Sequence, residues 1–133
     1  MKWTRFPLFF LLLAGLSAPA LGKEVVIVTS FPKELFETYK KAFEAKNPGI
    51  NVVINSKQTN AGVTYLRETK ARPEADIFWV SAPDAFQTLK NDGLLEKYAP
   101  PKEIISKIPG KIGTFPVHDA DGHYFGLPSA ATG

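Results

Sequence analysis

Three short polar segments follow apolar runs of this sequence and contain residue types that bind small anions. They are Thr29-Ser30, Thr59-Asn60 and Ser81. In open parallel sheets, ligands bind beside the carboxyl ends of the strands, where the following helices begin. Helix amino-termini contribute free N–H groups and positive potential, which favour a phosphate, a carboxylate or a similar oxyanion. The alternative is that these residues only form turns, in which Ser, Thr and Asn are frequent.

Two of the segments share a local pattern in which a serine lies two residues before a proline. The segments are Ser30-Phe31-Pro32 and Ser81-Ala82-Pro83. Proline is favoured at the first helical position, so Phe31 and Ala82 are the predicted N-caps. A capping serine would use its hydroxyl on the helix N–H groups. These serines lie one residue earlier, and their hydroxyls are expected to remain free for a ligand.

The segment His118–His123 contains two histidines and two aspartates and has two interpretations. Imidazole and carboxylate groups ligate metals, and Asp-Ala-Asp-Gly is similar to the start of a calcium loop, although the later ligands of such a loop are absent. Asp121-Gly122 between short apolar segments instead predicts a hairpin turn, because glycine adopts the positive φ required there. We expect a hairpin without a metal. Tyr124, beside it, fits either the core or a ligand-facing position.

The sequence contains no recognisable catalytic machinery. It lacks a Gly-x-Ser-x-Gly elbow, a phosphate loop and a dinucleotide fingerprint. Both histidines fall in the predicted turn, and Glu34 and Asp84 fall in first helical turns, where they complement the helix dipole. We therefore expect a binding protein that is not an enzyme and uses no cofactor.

The amino-terminal segment has the three parts of a secretory signal peptide. Basic Lys2 and Arg5 precede an apolar run over residues 6–16, and small residues precede a predicted cleavage site near Gly22. Removal of residues 1–22 leaves 111 residues with 14 basic and 13 acidic side chains, since two of the 16 basic residues are removed. This balance excludes the basic face of a nucleic-acid binder. The absence of cysteine excludes disulfides and thiolate sites, and export without cysteine fits a periplasmic protein.

Strands and helices are predicted to alternate along the first three quarters of the chain. The predicted strands are Val25–Val28, Ile50–Asn55 and Ala75–Val80. The predicted helices are Pro32–Asn47, a segment from about Val63 to before Pro73, and Pro83–Asn91 with Gly93 as its C-cap. The first helix is expected to turn Leu35, Phe36, Tyr39, Ala42 and Phe43 toward the sheet. Alternation of this kind predicts right-handed crossovers and a parallel α/β sheet.

Four motifs in this order resemble the periplasmic solute-binding proteins of ABC transporters. They are VVIVTSFP (25–32), ADIFWVSAPD (75–84), NDGLLEKY (91–98) and DGHYFGLP (121–128). The resemblance is to the branch of family 1 that contains ferric-ion, phosphosugar, phosphoglycerate and phosphonate binders, and it covers the mature chain. It implies the type II periplasmic-binding-protein fold, a mostly parallel open sheet with helices on both faces. Residues 23–133 would form the first lobe of a two-lobed clamp, truncated near the hinge with the second lobe absent.

The resemblance also implies a function and a set of ligand-binding residues. The chain would be the periplasmic substrate-binding component of an ABC importer, a monomer that docks on an inner-membrane permease; a periplasmic sensing module of a membrane signalling system is the alternative. Iron-binding relatives place a histidine or carboxylate where this chain has Ser30 and the neutral Gln58–Asn60. An anionic solute is therefore expected: a phosphate ester, a phosphonate or a ferric–anion complex. The predicted ligand-binding residues are Thr29, Ser30, Phe31, Thr59, Asn60, Ser81, Ala82 and Tyr124.

Overall fold

Short strands and helices alternate through a computed structural model that describes residues 22–112 and 115–127. The predicted leader, apart from Gly22, lies outside these residues, and so do Pro128 and the closing 129–133 segment. In chain order the elements are β1 (Lys23–Thr29), α1 (Lys33–Lys46), β2 (Ile50–Ser56), α2 (Thr59–Glu68), β3 (Ile77–Trp79), α3 (Pro83–Asn91), α4 (Lys102–Ile105), β4 (Lys111–Ile112) and β5 (Phe115–Pro116).

Strand β1 is the centre of a three-stranded parallel sheet with the order β2-β1-β3. Its last residue, Thr29, pairs with Ser56 of β2 and with Trp79 of β3, so all three strands end at one edge of the sheet. Because β2 and β3 flank β1 on opposite sides, right-handed crossovers carry α1 and α2 to opposite faces. The predicted α/β fold with a parallel sheet is confirmed.

The main core lies on the face covered by α2 and α3. Val63, Ala85 and Leu89 are buried together there, and Phe78 of β3 packs against them. A Cβ at Gly62 would come within 2.8 Å of the Phe78 ring, so α2 can approach the sheet this closely only because position 62 lacks a side chain. The sequence of α2 thus determines how closely the helix packs on the sheet as well as which of its faces turns toward the sheet.

Helix α1 buries less of its apolar face than predicted. Phe36 is buried and Leu35 is half-buried, but Tyr39, Ala42 and Phe43 are exposed. One turn of the helix is held instead at the outer edge of β2, where the Glu44 carboxylate accepts a hydrogen bond of 2.8 Å from the Val52 N–H. Lys40 donates to the carbonyl of the same residue. A helix tied to the margin of a three-stranded sheet has too little sheet beneath it to cover its whole apolar stripe.

Three predicted helix boundaries need correction. The N-cap of α1 is Pro32 and not Phe31. Helix α2 begins at Thr59, before the polar segment ends, and not after Gly62. At the end of α3 the C-cap is Asp92, and Gly93 follows it with φ 68°.

The end of α3 shows why the glycine is needed one position later than predicted. The N–H of Leu94 bonds the carbonyl of Leu89 at 2.9 Å, and the N–H of Gly93 bonds that of Lys90 at 3.0 Å. This pair of bonds is a Schellman motif, in which the residue after the C-cap adopts the left-handed conformation that glycine tolerates. Helix α3 is otherwise bounded as predicted.

The segment after α3 folds back along that helix. It contains α4, the antiparallel pair β4–β5 and a turn closed by the Asp119 carbonyl and the Gly122 N–H at 3.1 Å. An antiparallel bridge joins His118 to Phe125, and Gly122 has φ 81°, so the predicted hairpin is present. In the part of the chain described, no helix is both long and apolar enough to cross a membrane.

Leu89 offers a direct test of the α2–α3 core. Its side chain is fully buried among Val63, Ala85 and their neighbours, so Leu89→Ala should lower the free energy of unfolding by about 2–5 kcal/mol. Urea denaturation followed by circular dichroism measures the change. Ile104→Ala, at a side chain that is 49% exposed, is the control and should cost under about 1 kcal/mol. Equal losses would contradict this location of the core.

Candidate functional site at the ends of the parallel strands

A polar pocket lies where β1 and β2 end and α2 begins. It is a shallow depression of about 610 Å³ that is largely open to solvent. Its lining residues carry hydroxyl, amide and ammonium groups and no carboxylate: Ser30, Ser56, Lys57, Gln58, Thr59 and Asn60. A lining of this composition offers hydrogen-bond donors and one positive charge, which suits an anion.

Thr29 fixes the strand ends from inside the lobe. Its side chain is fully buried. The hydroxyl donates a hydrogen bond of 2.6 Å to the Trp79 carbonyl and accepts one of 3.2 Å from the Phe31 N–H. The Thr29 carbonyl accepts a bond of 2.9 Å from the Lys57 N–H. Thr29 therefore holds the ends of all three strands in register, and its own hydroxyl is engaged in the fold.

Ser30 and Thr59 meet across the floor of the pocket. Their hydroxyls are hydrogen-bonded at 3.2 Å, although 29 residues separate them in the sequence. The Ser30 hydroxyl, which was expected to remain free, accepts this bond from Thr59, and the N-cap residues of α1 and α3 make no side-chain cap bond. The Ser30–Thr59 pair joins the first two predicted polar segments in one place.

The amino-terminus of α2 differs electrostatically from those of the other two long helices. Glu34 and Asp84 stand in the first turns of α1 and α3, whereas the first turn of α2 contains no acidic residue. The N-cap of α2, Gln58, makes no side-chain cap bond. The positive end of this helix dipole, with its first N–H groups, is therefore not offset by a carboxylate within the first turn of α2.

Lys57 brings the positive charge of the pocket, and sequence reasoning missed it together with Ser56. Lys57 is half-buried, and its ammonium lies 4.7 Å from the centroid of the Tyr65 ring. It directly follows β2 as Ser30 directly follows β1, since Ser56 and Thr29 are register partners. Counting one residue past each strand, with that register known, would have identified it.

The other predicted site residues lie outside this pocket. The Phe31 ring packs on Trp79 with centroids 4.9 Å apart. Ser81 is exposed after β3, and Ala82 is the half-buried N-cap of α3. The Tyr124 ring stacks on Phe86 at 5.5 Å, and its hydroxyl donates to Gln87 at 3.3 Å. The structure thus joins Ser30, Thr59 and Asn60 in one pocket, buries Thr29 at the end of β1, and places the other four predicted residues nearer β3 and α3.

The hairpin turn holds a group of potential metal ligands on another part of the lobe. Atoms of Asp119, Asp121 and His123 lie within 4.8 Å of one another. The Lys90 ammonium, however, lies 2.7 Å from a carboxylate oxygen of each aspartate, and Asp119 also accepts a bond of 3.0 Å from the His123 N–H. Lys90 already supplies a cation to both carboxylates. This cluster serves to pin the turn to α3.

Comparison with solved structures identifies the fold. The iron-bound HitA of Pseudomonas aeruginosa superposes with a TM-score of 0.63 at 21% identity, over 75% of this chain and 30% of that one. The Trichodesmium protein FutA (IdiA), in complex with iron and citrate, gives 0.66 at 15%, over 77% and 30%. The Mannheimia haemolytica ferric iron-binding protein A, in an open conformation, gives 0.63 at 24%, over 79% and 31%. At these identities the likeness concerns the fold, that of periplasmic binding proteins.

A family model identifies the protein family. The model for bacterial extracellular solute-binding proteins matches residues 28–124, and the chain belongs to this family. No curated protein sequence matches the chain. The chain spans about 30% of the length of the solved structures named above.

Thr29→Val tests the buried hydroxyl that ties the strand ends together. The substitution keeps the shape of the side chain but leaves the Trp79 carbonyl and the Phe31 N–H without this partner, at an expected cost of about 1–3 kcal/mol of unfolding free energy. Urea denaturation measures it. Thr29→Ser retains the hydroxyl and removes only a methyl group, so it should cost less than the valine. A more stable valine variant would refute the role assigned to this hydroxyl.

Asp119 makes the hairpin sensitive to acid. The Lys90 ammonium and the hydrogen bonds from His123 hold the pKa of Asp119 well below its ordinary value of 3.8. A carboxylate whose pKa is lower in the folded state contributes stability above its unfolded pKa, and that stability is lost as the pH falls through the folded pKa. The stability difference between wild type and Asp119→Asn should be full at pH 6 and shrink below about pH 3.8.

Urea midpoints measured from pH 7 to pH 2.5 check this expectation. Asp84→Asn, which removes an exposed carboxylate in the first turn of α3, is the matched control. Its difference from wild type should vary less with pH than that of Asp119→Asn. A pH-independent Asp119→Asn difference would show that the carboxylate charge does not stabilise the turn.

Proposed function

We propose that this chain is the first lobe of a periplasmic substrate-binding component of an ABC importer. In this proposal the predicted leader directs export and is cleaved near Gly22, and residues 23–133 form one wall of an interlobe cleft. The mature protein is a monomer that presents bound solute to an inner-membrane permease. Membership of the solute-binding family supports the role, as does the fold shared with solved binding proteins.

The solute we propose is a small anion bound at the strand ends. The observation that carries this proposal is the amino-terminus of α2, which lacks an acidic first turn and opens into a pocket lined by hydroxyls, amides and Lys57. An anion there would accept hydrogen bonds from Ser30 and Thr59 and from the first N–H groups of α2. Thr29 and Phe31 would support this rim from behind, with Asn60 at the pocket mouth.

Residues near β3 would contact a larger solute that extends beyond this pocket. Ser81 is exposed at the same edge of the sheet, one residue beyond Val80, and Ala82 is the N-cap of α3. Tyr124 carries a hydroxyl on the same side of the lobe as α3. In the proposed function these residues form the outer part of the ligand surface, and the second lobe closes over them.

The proposal also covers iron in complexed form. Relatives of the same fold are described as binding ferric iron, and one of them holds iron together with citrate. The pocket of this chain offers no carboxylate or imidazole, and hard cations such as ferric iron prefer anionic oxygen ligands. A phosphate ester, a phosphonate or the anionic part of a ferric complex therefore fits this lobe better than a bare iron ion.

Titration of the purified chain, as processed by the expressing cell, tests the proposal by NMR. Glycerol 3-phosphate, 2-aminoethylphosphonate and ferric citrate are added separately, with uncharged glycerol as the reference compound. At least one anion should shift the amide signals of Ser30 and residues 57–61. Affinity is expected to be low, because ligand pockets normally bury about 70% or more of their ligand and a single lobe leaves one side wet. No response to any anion would refute the proposed solute class.

Ser30→Ala gives the corresponding change in affinity. Loss of one hydrogen bond is worth about 1 kcal/mol, so the dissociation constant should rise about fivefold. Ser106→Ala, at a serine after α4 outside the pocket, is the matched control and should bind as wild type does. Equal affinities in both variants would return Ser30 to the role of a turn residue.

A further inference from the structure

Lys57 is a half-buried cation that forms no ion pair with any carboxylate among the described residues. The ion pairs of lysine and arginine in residues 22–112 and 115–127 belong to Lys40, Arg67 and Lys90. Lys57 instead lies over the Tyr65 ring, with 4.7 Å between its ammonium nitrogen and the ring centroid. A protein that needed this charge only for solubility would leave it in water. Here it is kept at the wall of the pocket.

The Tyr65 ring is itself fixed and polarised by a carboxylate. Its hydroxyl donates a hydrogen bond of 2.8 Å to Glu74, and this bond raises the pKa of Tyr65. Donation to a carboxylate increases electron density on the phenol ring, which strengthens the attraction between the ring face and an ammonium. Glu74 thus acts on Lys57 through the ring and does not neutralise it by direct contact.

We propose that Lys57 is the residue that selects solutes by charge in this pocket and that Tyr65 is the residue that positions it. The inference rests on the proposed solute-binding function and deepens it. An ammonium has three N–H donors, and a ring face leaves donors free for a ligand. The positive charge beside the uncompensated end of α2 would make the pocket reject neutral solutes of the same shape. A neutral solute would shield the half-buried Lys57 ammonium from water without pairing with it, and a charge desolvated without a partner is costly.

A lysine held by a ring has an advantage over one held by a carboxylate. A carboxylate partner would compete with an anionic solute for the same N–H groups and would repel it. A ring carries no net charge to repel the solute, and it does not occupy the N–H groups as a carboxylate would, because the cation–π attraction acts through the ring face. The arrangement keeps a flexible side chain at the pocket wall and leaves its charge available.

Charge selection is measured with glycerol 3-phosphate and glycerol on the purified, naturally processed chain. The readout is the dissociation constant of glycerol divided by that of glycerol 3-phosphate, both measured by NMR titration. Lys57→Gln should weaken glycerol 3-phosphate binding about tenfold and should not weaken glycerol binding, so the ratio falls. Lys57→Arg keeps the charge and should retain most of the ratio. Lys41→Gln, which removes an exposed charge from α1, is the matched control and should leave the ratio as in wild type.

The positioning role of Tyr65 has its own variants. Tyr65→Leu removes the ring and should lower the same ratio of dissociation constants by about threefold to fivefold, because the Lys57 side chain can then rotate into water. Tyr65→Phe keeps the ring face and loses only the hydrogen bond to Glu74, so it should retain most of the wild-type ratio. A purely structural Tyr65 would change stability and leave the ratio unmoved.

The outcomes separate this inference from the function on which it rests. If the wild-type chain binds none of the anions, the proposed function fails. If it binds glycerol 3-phosphate and Lys57→Gln binds it equally well with an unchanged ratio, the function stands and the role of Lys57 is refuted. Folding of each variant is checked by circular dichroism, and Lys57→Arg provides a second measure if the glutamine variant does not fold.

Discussion

The structure depends on the position of β1 between two parallel neighbours. Strand β1 pairs with β2 along its whole length and with β3 over Ile27–Thr29, and its β-branched run from Val25 to Val28 goes from half-buried to fully buried in the same direction. With β2 on one side and β3 on the other, the chain must cross β1 between them, and the crossover helices take opposite faces. The same arrangement places the ends of all three strands at one edge, where Thr29 joins them.

The distribution of acidic residues makes the amino-terminus of α2 electrostatically different from those of α1 and α3. Two of the long helices begin with a carboxylate in the first turn, and that carboxylate offsets the positive end of the dipole. Helix α2 has Thr59 and Asn60 in this place and receives Lys57 beside it. The lack of an acidic residue in the first turn of α2 would be unremarkable on an exposed surface. Here this helix end lies next to the half-buried Lys57 and the Ser30–Thr59 hydroxyl pair, so positive potential is concentrated at one pocket.

Local signals in the sequence were enough to predict the strands and the three long helices. Apolar runs and Pro, Gly and Asn at the boundaries depend on neighbouring residues only, and α3 was bounded correctly for this reason. The resemblance to the solute-binding family was also confirmed by the family model. The exposure of Tyr39 and Phe43 could not be predicted, because it depends on how many strands lie beneath α1.

The composition of the pocket was only partly predictable for a related reason. Ser30 and Thr59 were identified from the polar residues that follow each strand. Lys57 was missed because its proximity to Ser30 depends on the register between β1 and β2, a relation between distant parts of the chain. The division of the predicted residues between this pocket and the β3 side likewise depends on the order of strands in the sheet, which the periodicity of the sequence does not contain.

The clamp of α1 on the margin of β2 has a consequence for how this sheet grows. Glu44 and Lys40 occupy the outward-facing N–H and carbonyl of Val52, and an occupied strand edge cannot template pairing with another chain. The β2 side is therefore protected at its midpoint against intermolecular β-pairing. Among the described residues β3 is the other edge strand of this sheet, so an additional strand, whether it comes from this chain or from another, would pair there.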